Sequence, residues 1–347
     1  MLAMSQLKAA WHIERIADLR KGRDIVPTHV QLILSDLCNQ DCHFCAYRME
    51  GGFSTQNFAD EKGNKNPNRR IETAKALEIL DDCAAAGVEA IEFTGGGEPT
   101  VHPDWLRIIG HAQALGMQTG LVTNGVRLKP DPVVVNLTWL RISLDAGRPH
   151  TYERIRRSEA WPQVMKTLKY AGWLKGPLVG VGFVITRENH AEIVDACQLA
   201  KDNGISYVRL SAMFSSAGAK YYEGLLGQID QDRIEAKAME TDTFKVVDFF
   251  GNRIGDLEQH APDYQFCGEQ QFVTYIGGDL KVYTCCTNAY TDKGRVGDLR
   301  NMRFSEWLAT KRQFGFDARG CHDCQFNGTN RAINYLLDPA PPHVGFV

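Results

Sequence analysis

Cys38, Cys42 and Cys45 are spaced so that three thiolates can hold three irons of a four-iron cubane, leaving the fourth iron without a protein ligand. A metal with an open coordination position is one on which a reaction can be run. A zinc site with His43 or another residue as fourth ligand is the competing reading of the same short spacing. Five more of the ten cysteines fall in the last quarter of the chain, at Cys267, Cys285, Cys286, Cys321 and Cys324, while Cys83 and Cys197 stand alone. This distribution proposes two metal sites and two structural thiols. So many thiols suit a reducing compartment.

The elements that must position these residues alternate in type. Apolar, β-branched runs recur at 30–35, 90–94, 118–123, 139–145, 180–186 and 207–212, with helix-period segments between most of them. The segment 72–86 places Ala76, Ile79, Leu80 and Cys83 on one face and stops at Gly87, a C-cap. A second helix starts at Asn189, with Glu192 completing a capping box, and puts Ile193, Ala196, Cys197 and Ala200 on its apolar stripe. Both lone cysteines thus sit where a small hydrophobe belongs. Strands alternating with helices predict a parallel sheet with right-handed crossovers, and about six βα units before residue 225 are too few for a closed eight-stranded barrel. The expected fold class is α/β. Reactive groups of such folds gather at the C-terminal ends of the strands. The Cys38 group, residues 95–99, Asn124 and Asp145 all fall there. Residues 5–20 read as an amphipathic helix with Ala9, Ile13 and Ile16 on one face and Leu19 at its edge. Residues 51–68 read as a long irregular loop, either a lid or a disordered insertion.

Directly after the second strand comes Gly96-Gly97-Glu98-Pro99, within TGGGEPT. Together with the three cysteines, and with Phe44 before the third, this motif makes the chain from about 28 to 225 resemble the radical S-adenosylmethionine (SAM) superfamily. The resemblance implies a partial (β/α)6 TIM-like barrel, a 4Fe-4S cluster on Cys38, Cys42 and Cys45, and bound S-adenosyl-L-methionine. By the same resemblance Phe44 lies near the adenine, and Gly96, Gly97 and Glu98 line the cofactor's amino group. Ser143 and Asp145, in RISLDA, meet its ribose or methionine portion, and Arg156, in YERIRR, pairs with its carboxylate. Asn124, in TNG, is either a further cofactor contact or a turn former, and Asn189 is also explained as a helix cap. The implied reaction is reductive cleavage of SAM to a 5'-deoxyadenosyl radical that takes hydrogen from a C–H bond. A flavodoxin or ferredoxin would serve as reductant. No side chain that returns a hydrogen or proton to the product is identifiable.

After residue 260 a Cys267, an alternating hairpin over 272–286, a helix over 294–308 and Cys321-x2-Cys324 resemble the Twitch form of the SPASM auxiliary-cluster domain. That implies one auxiliary 4Fe-4S cluster, with structural zinc on the same thiolates as the competing reading. Adjacent residues of a strand point to opposite faces, so Cys285 and Cys286 rarely reach the same iron. The stretch GGDLKVYTC resembles the family's turn, strand and ligand cysteine, which favours Cys267, Cys285, Cys321 and Cys324. A bulge at the strand end would exchange Cys285 for Cys286. The expected organisation is an N-terminal helix over 1–27, the barrel over 28–225, and the Twitch-type domain with its tail over 226–347.

A composition of 44% hydrophobic and 23% charged residues over 347 positions supports a large core. The formal net charge of -3 argues against bulk electrostatic binding of nucleic acid. A local basic groove from Arg154, Arg156, Arg157, Lys166 and Lys169 stays open. No stretch is apolar enough for a membrane span, and the start lacks the apolar core of a signal peptide, which places the protein in the cytoplasm. The 27 residues before the first strand are too few for an N-terminal peptide-binding domain of the kind peptide-modifying relatives carry. A small polar substrate is therefore expected: an amino-acid derivative, a nucleoside or a nucleic-acid base. Modification of a ribosomal peptide or protein side chain, action on polymeric nucleic acid, and a non-catalytic metal-binding protein are the alternatives.

Overall fold

The β-branched runs form a parallel series that continues past the six expected strands. Strands β1 (His29–Ile33), β2 (Ala90–Thr94), β3 (Gln118–Thr123), β4 (Trp139–Ser143), β5 (Leu178–Ile185), β6 (Tyr207–Ala212) and β7 (Lys245–Asp248) pair in sequence order, all parallel. On the other side of β1, β8 (Val273–Ile276) pairs parallel, and β9 (Lys281–Tyr283) and β10 (Arg295–Asp298) follow antiparallel. One ten-stranded sheet results, in the order β10-β9-β8-β1-β2-β3-β4-β5-β6-β7. This computed structural model describes residues 5–49, 56–259, 261–310 and 316–338. The architecture is the expected α/β one, a partial TIM-like barrel. Strand β7 escaped the sequence pattern because its four residues, KVVD, bury one side chain, Val246, at the sheet edge.

Alternate strand positions divide the barrel. Ile91, Phe93, Leu121, Leu140, Ile142, Val181, Phe183, Val208 and Leu210 point outward into a core they share with helix residues such as Ile79, Leu80, Ile108, Val164 and Leu168. Cys83 and Cys197 are fully buried in that core, as their place on the apolar stripes predicted. Two expectations change. The strand expected over 139–145 ends at Ser143, because Asp145 turns into the left-handed region with φ +59°. Asn189 caps no helix. Its amide donates to the carbonyls of Asp145 (2.7 Å) and Val184 (2.8 Å) and accepts from the Thr186 N–H (2.6 Å). The helix begins only at Ile193, after a 3-10 turn at His190–Glu192. Glu192 makes no capping box either, because it accepts from the Gly147 N–H and the Thr151 hydroxyl.

The N-terminal segment is a 3-10 turn, Lys8–Trp11, then a helix, Ile13–Arg20, broken at His12. The break shifts the helical phase, so Ile13 is 58% exposed while Ala9, Ile16 and Leu19 pack on Phe272 and Ile333. Within the loop expected over 51–68, residues 51–55 lie outside the described residues, and 56–68 is anchored at Phe58 and Asn66 with residues 61–65 exposed between them. Phe58 is buried against Tyr47 and Tyr290, and Asn66 brackets Cys38 by accepting from its N–H (2.9 Å) and donating to its carbonyl (3.0 Å). Among the described residues no helix is long and apolar enough to cross a membrane.

The C-terminal segment docks on the barrel through Asp82, on the helix Thr73–Ala86, which accepts from the Ser305 N–H (3.1 Å), the Ser305 hydroxyl (2.9 Å) and Arg303. Arg303 is half in water, so most of the value lies with Ser305. Asp82→Ala leaves that N–H without its acceptor and is expected to cost about 1–3 kcal/mol of unfolding free energy, read by urea denaturation. Burial acts to raise the Asp82 carboxyl, but its hydrogen bonds from Arg303 and Ser305 hold it below its ordinary range. Its contribution is thus present above the unfolded-state value and fades as pH falls through the folded one, so the deficit of the variant should shrink in acid.

Candidate active site

The loop that carries the three cysteines is pinned from below by a turn that admits no side chains. A Cβ at Gly97 would lie 2.2 Å from the Leu37 carbonyl oxygen and 2.5 Å from the Asp36 carbonyl carbon, and one at Gly96 would lie 2.6 Å from Asp36 Oδ1. The Gly97 N–H donates to the Ser35 carbonyl and the Glu98 N–H to the Leu37 carbonyl, each at 3.0 Å. The glycines are therefore required, first, by the crossing of two strand ends. Asp36 is itself fully buried and takes hydrogen bonds from Arg69 Nε (2.8 Å) and the Tyr290 hydroxyl. Burial pushes its carboxyl up to about 6 against the pull of Arg69.

Above this crossing one cavity of about 630 Å³ is lined by every candidate of the first site: Cys38, Cys42, Phe44, Cys45, Gly96, Gly97, Glu98, Asn124, Ser143, Asp145 and Arg156. Burial raises all three thiols, Cys42 to about 12, while the Arg156 guanidinium, 3.6 Å from the Cys42 sulfur, pulls the other way. His43 is not in the lining. Its Nδ1 sits 3.2 Å from the Ile155 carbonyl and its Nε2 3.4 Å from Glu188, so it is turned away from the thiols. His43 is thus not placed to be a fourth ligand beside these thiols.

Arg156 is set apart from its neighbours Arg154 and Arg157, which are exposed. It is buried, ion-pairs with Asp145, donates to Gln40 Oε1 (3.0 Å), and packs over the rings of Phe44 and Tyr152. Its Nε is buried without a partner. Asp145 also accepts from the Val184 N–H at 2.6 Å, and burial raises its carboxyl despite Arg156. Asn124 does more than turn the chain: it donates to Asn39 Oδ1 (2.7 Å) and accepts from the Val126 N–H (3.0 Å). Glu98 is buried and saturated on one oxygen. Oε1 accepts from the Thr100 N–H, the Thr100 hydroxyl and the Thr123 hydroxyl, and Oε2 accepts from the Asn124 N–H.

The sequence pattern missed what lies deeper. Trp139 of β4 and Tyr207 of β6 point into the barrel over Gly120 and Gly180, where a Cβ would lie 2.3 Å and 2.1 Å from their rings. These rings close the floor. Two residues further along the same strands, Arg141 and Arg209 line the cavity, followed by Ser143 and Ser211. The signal was present: a single arginine interrupts each of the apolar runs WLRIS and YVRLS at an inward position. Gln325, Phe326 and Thr329, from the start of the otherwise undecoded C-terminal segment, also line the cavity.

The late cysteines gather beyond β9. The thiols of Cys267, Cys285, Cys321 and Cys324 form a chain of mutual influence: Cys285 with Cys267, Cys324 and Cys321, and Cys324 with Cys321. Asn288 donates to the Cys321 sulfur (3.5 Å), and the Phe326 N–H to that of Cys324 (3.4 Å). Cys286 also feels the charge of its neighbour Cys285, and it has contacts of its own. Its sulfur accepts from Gln325 Nε2 at 2.8 Å and packs beside the cluster of Tyr47, Tyr275, Tyr283 and Tyr290. Among the described residues no three Cys, His, Asp or Glu side chains are drawn around a single metal-ion position.

The family model described as the radical SAM superfamily matches residues 32–209. A protein of Flammeovirga pacifica named S-adenosylmethionine-dependent nucleotide dehydratase is 34% identical over 143 residues, 40% of this chain and 46% of that protein. A probable GTP 3',8-cyclase of Saccharolobus islandicus is 26% identical over 185 residues, 52% of this chain and 55% of the relative. The chain thus spans about half the length of these relatives. Among solved structures, Streptococcus suis SuiB bound to S-adenosylmethionine superposes with a TM-score of 0.60 at 16% identity, covering 83% of this chain and 67% of that one. A tagged anSMEcpe with bound AdoMet gives 0.59 at 14% identity, covering 92% and 98%. At these identities the likeness concerns the fold.

Each Glu98 oxygen accepts from a backbone N–H, so a glutamine in either orientation sets an NH2 against an N–H. Glu98→Gln is therefore expected to lower the unfolding free energy by about 1–3 kcal/mol, measured by chemical denaturation, before any ligand is added.

Proposed function

The chain belongs to the radical SAM superfamily, and from that membership we propose that it cleaves S-adenosylmethionine at a 4Fe-4S cluster held by Cys38, Cys42 and Cys45. The radical then acts on a C–H bond of a small polar substrate. The observation that carries this reading is the single cavity that brings the three thiols together with Phe44, the Gly96–Glu98 turn, Ser143, Asp145 and Arg156. The donor set fits the groups assigned to it. Three soft thiolates suit iron and sulfide, and a buried guanidinium with an unpartnered Nε suits the cofactor's carboxylate. Bound there, the cluster and cofactor supply the one-electron cleavage that yields the 5'-deoxyadenosyl radical.

The chain's own residues orient and enclose. Asn66 and Arg48 fix the loop around Cys38, with Arg48 donating to the Gln40 carbonyl (2.8 Å) and to Asn66 Oδ1 (2.7 Å). Asp145 and Arg156 are ion-paired; Arg156 would meet the cofactor's carboxylate and Asp145 its ribose or methionine portion. Phe44, itself stacked on Arg156, offers an apolar face for a base. The names of the Flammeovirga and Saccharolobus relatives favour a nucleotide or a related small molecule as the substrate.

The charge influences that link Cys285 to Cys267, Cys321 and Cys324 support a second, auxiliary 4Fe-4S cluster on those four residues. The hydrogen bond that the Cys286 sulfur accepts from Gln325 supports its being a bystander.

Cys42→Ala, after anaerobic reconstitution, is expected to leave an unstable first cluster and no 5'-deoxyadenosine by chromatography, and cleavage at the unmutated rate would defeat the proposal. Two cubanes correspond to about eight irons per chain. Cys285→Ala should bring the iron content of reconstituted protein towards about four, and Cys286→Ala should leave it near the starting value. The opposite pattern would exchange the two assignments. About four irons and one zinc in the unmutated protein would reject the auxiliary cluster.

A further inference from the structure

Two guanidiniums inside the barrel have nothing to hold. Arg141 on β4 and Arg209 on β6 line the cavity, and among the described residues neither makes a hydrogen bond or an ion pair with the protein. Each is instead stacked on an aromatic ring, Arg141 on Trp139 at 5.6 Å and Arg209 on Phe249 at 5.3 Å. The Nε of Arg209 is wholly buried without a partner.

The two converge on one place. Gly182 of β5 lies between them and is the register partner of Arg209. A Cβ built on Gly182 would meet Arg141 Cδ at 3.7 Å and Arg141 Nε at 3.9 Å, so the Arg141 side chain lies across this glycine towards β6. The missing side chain leaves a slot with a guanidinium from each neighbouring strand. The acids whose charge reaches the pair are engaged elsewhere: Glu92, which acts on Arg209, by Gln31 Nε2 (3.2 Å) and His29 Nε2 (3.5 Å), and Asp145, on which Arg141 acts, by Arg156 and the Val184 N–H. Burial, and then the like charge of Arg141, pull Arg209 down to about 10. A fold that needed only packing would place apolar residues here, because an unpaired buried charge is costly. The buried arginines of the lining are all engaged by the protein: Arg156 with Asp145, Arg48 with the Gln40 carbonyl and Asn66, and Arg253 with the Asp323 carbonyl.

We propose that Arg141 and Arg209 form an oxyanion clamp for the substrate, so that the molecule acted upon carries a phosphate or carboxylate seated over Gly182. The assignment rests on the radical SAM reading of the cavity and narrows its substrate class to an anionic molecule. Guanidinium forks match the paired oxygens of phosphates and carboxylates. A site at this level holds one end of the substrate beneath the mouth of the barrel, leaving the remainder to extend towards the strand ends where the cysteines lie.

The test is titration calorimetry of the reconstituted holoenzyme with inorganic pyrophosphate and, separately, with succinate. Binding of pyrophosphate is expected if the substrate is a phosphate ester, and of succinate if it is a carboxylate. Arg141→Gln and Arg209→Gln should each weaken the bound anion roughly ten- to hundredfold. The melting temperature of Arg209→Gln should hold or rise, because the variant removes an unpaired buried charge. Should a glutamine variant fail to fold, Arg141→Lys and Arg209→Lys keep the charge but lose the fork, and an intermediate weakening is expected. Failure of both anions to bind, or binding equally tight in the variants, overturns the clamp. So does competition between SAM and the anion with a matching loss of SAM affinity in the variants, which would give the pair to the cofactor. Formation of 5'-deoxyadenosine in the same preparations tests the underlying reading separately. Its absence beside arginine-dependent anion binding would fault that reading and leave the clamp standing.

Discussion

At Gly97 the turn after β2 lies so closely against the backbone of Asp36 and Leu37 that no Cβ fits, and at Gly96 it lies as closely against the Asp36 side chain; the candidate site depends on that contact. It fixes the end of β2 to the end of β1, and hence the Glu98 carboxylate to the loop that begins at Cys38. Glu98 then ties β2 to β3 through Thr123 and Asn124, and Asn124 reaches back to Asn39 in the cysteine loop. Three strand ends are thus closed into one rigid rim by backbone contacts and a single buried carboxylate. Rigid rims of this kind hold ligand positions better than isolated loops do.

A second tie crosses from barrel to C-terminal segment through the same residue. Asp36 receives the Tyr290 hydroxyl, and the Tyr47 hydroxyl lies 3.0 Å from that of Tyr275, so a buried aromatic cluster spans the interval between the early and late cysteines. Because β8 pairs with β1, the late cysteines are attached to the sheet edge beside the first cysteine loop. The two groups of thiols are held by one continuous sheet, and an added methyl at Gly278, where a Cβ would lie 2.6 Å from Asp36 Oδ1, would disturb both.

The interior is layered by size. Glycines on β3 and β5 admit the rings of Trp139 and Tyr207 as a floor, and the glycine one layer higher, Gly182, leaves room where the two arginines meet. Large residues over glycines are how a small barrel fills its base while keeping a cavity above. The cost of unpaired charge is confined to that cavity, which is the usual location for local rules broken in favour of function.

The spacing of Cys38, Cys42 and Cys45, the Gly-Gly-Glu motif after β2 and the alternation of apolar runs were legible in the sequence because each is local: it depends on neighbouring residues and on a period of two or 3.6. They determined the family, the parallel barrel and the first group of candidate ligands. Strand β7 was not legible, because four residues at an edge bury one side chain. Nor was the role of Asn189, because its partners Asp145 and Val184 are set by where β4 and β5 end. Position along the helix could not separate buried Arg156 from exposed Arg157; the decision came from Gln40, Asp145 and Phe44, which lie far away in the chain. The strand-alternation argument that set Cys285 apart from Cys286 was local, but which thiol faced the other cysteines depended on Gln325 and the tyrosine cluster. Arg141 and Arg209 stood in the sequence as single charges in apolar runs, and only the register of β4, β5 and β6 brought them over the same glycine. Sequence fixes which groups are available through local periodicity, whereas their convergence is a property of pairing between distant segments, which only the folded sheet decides.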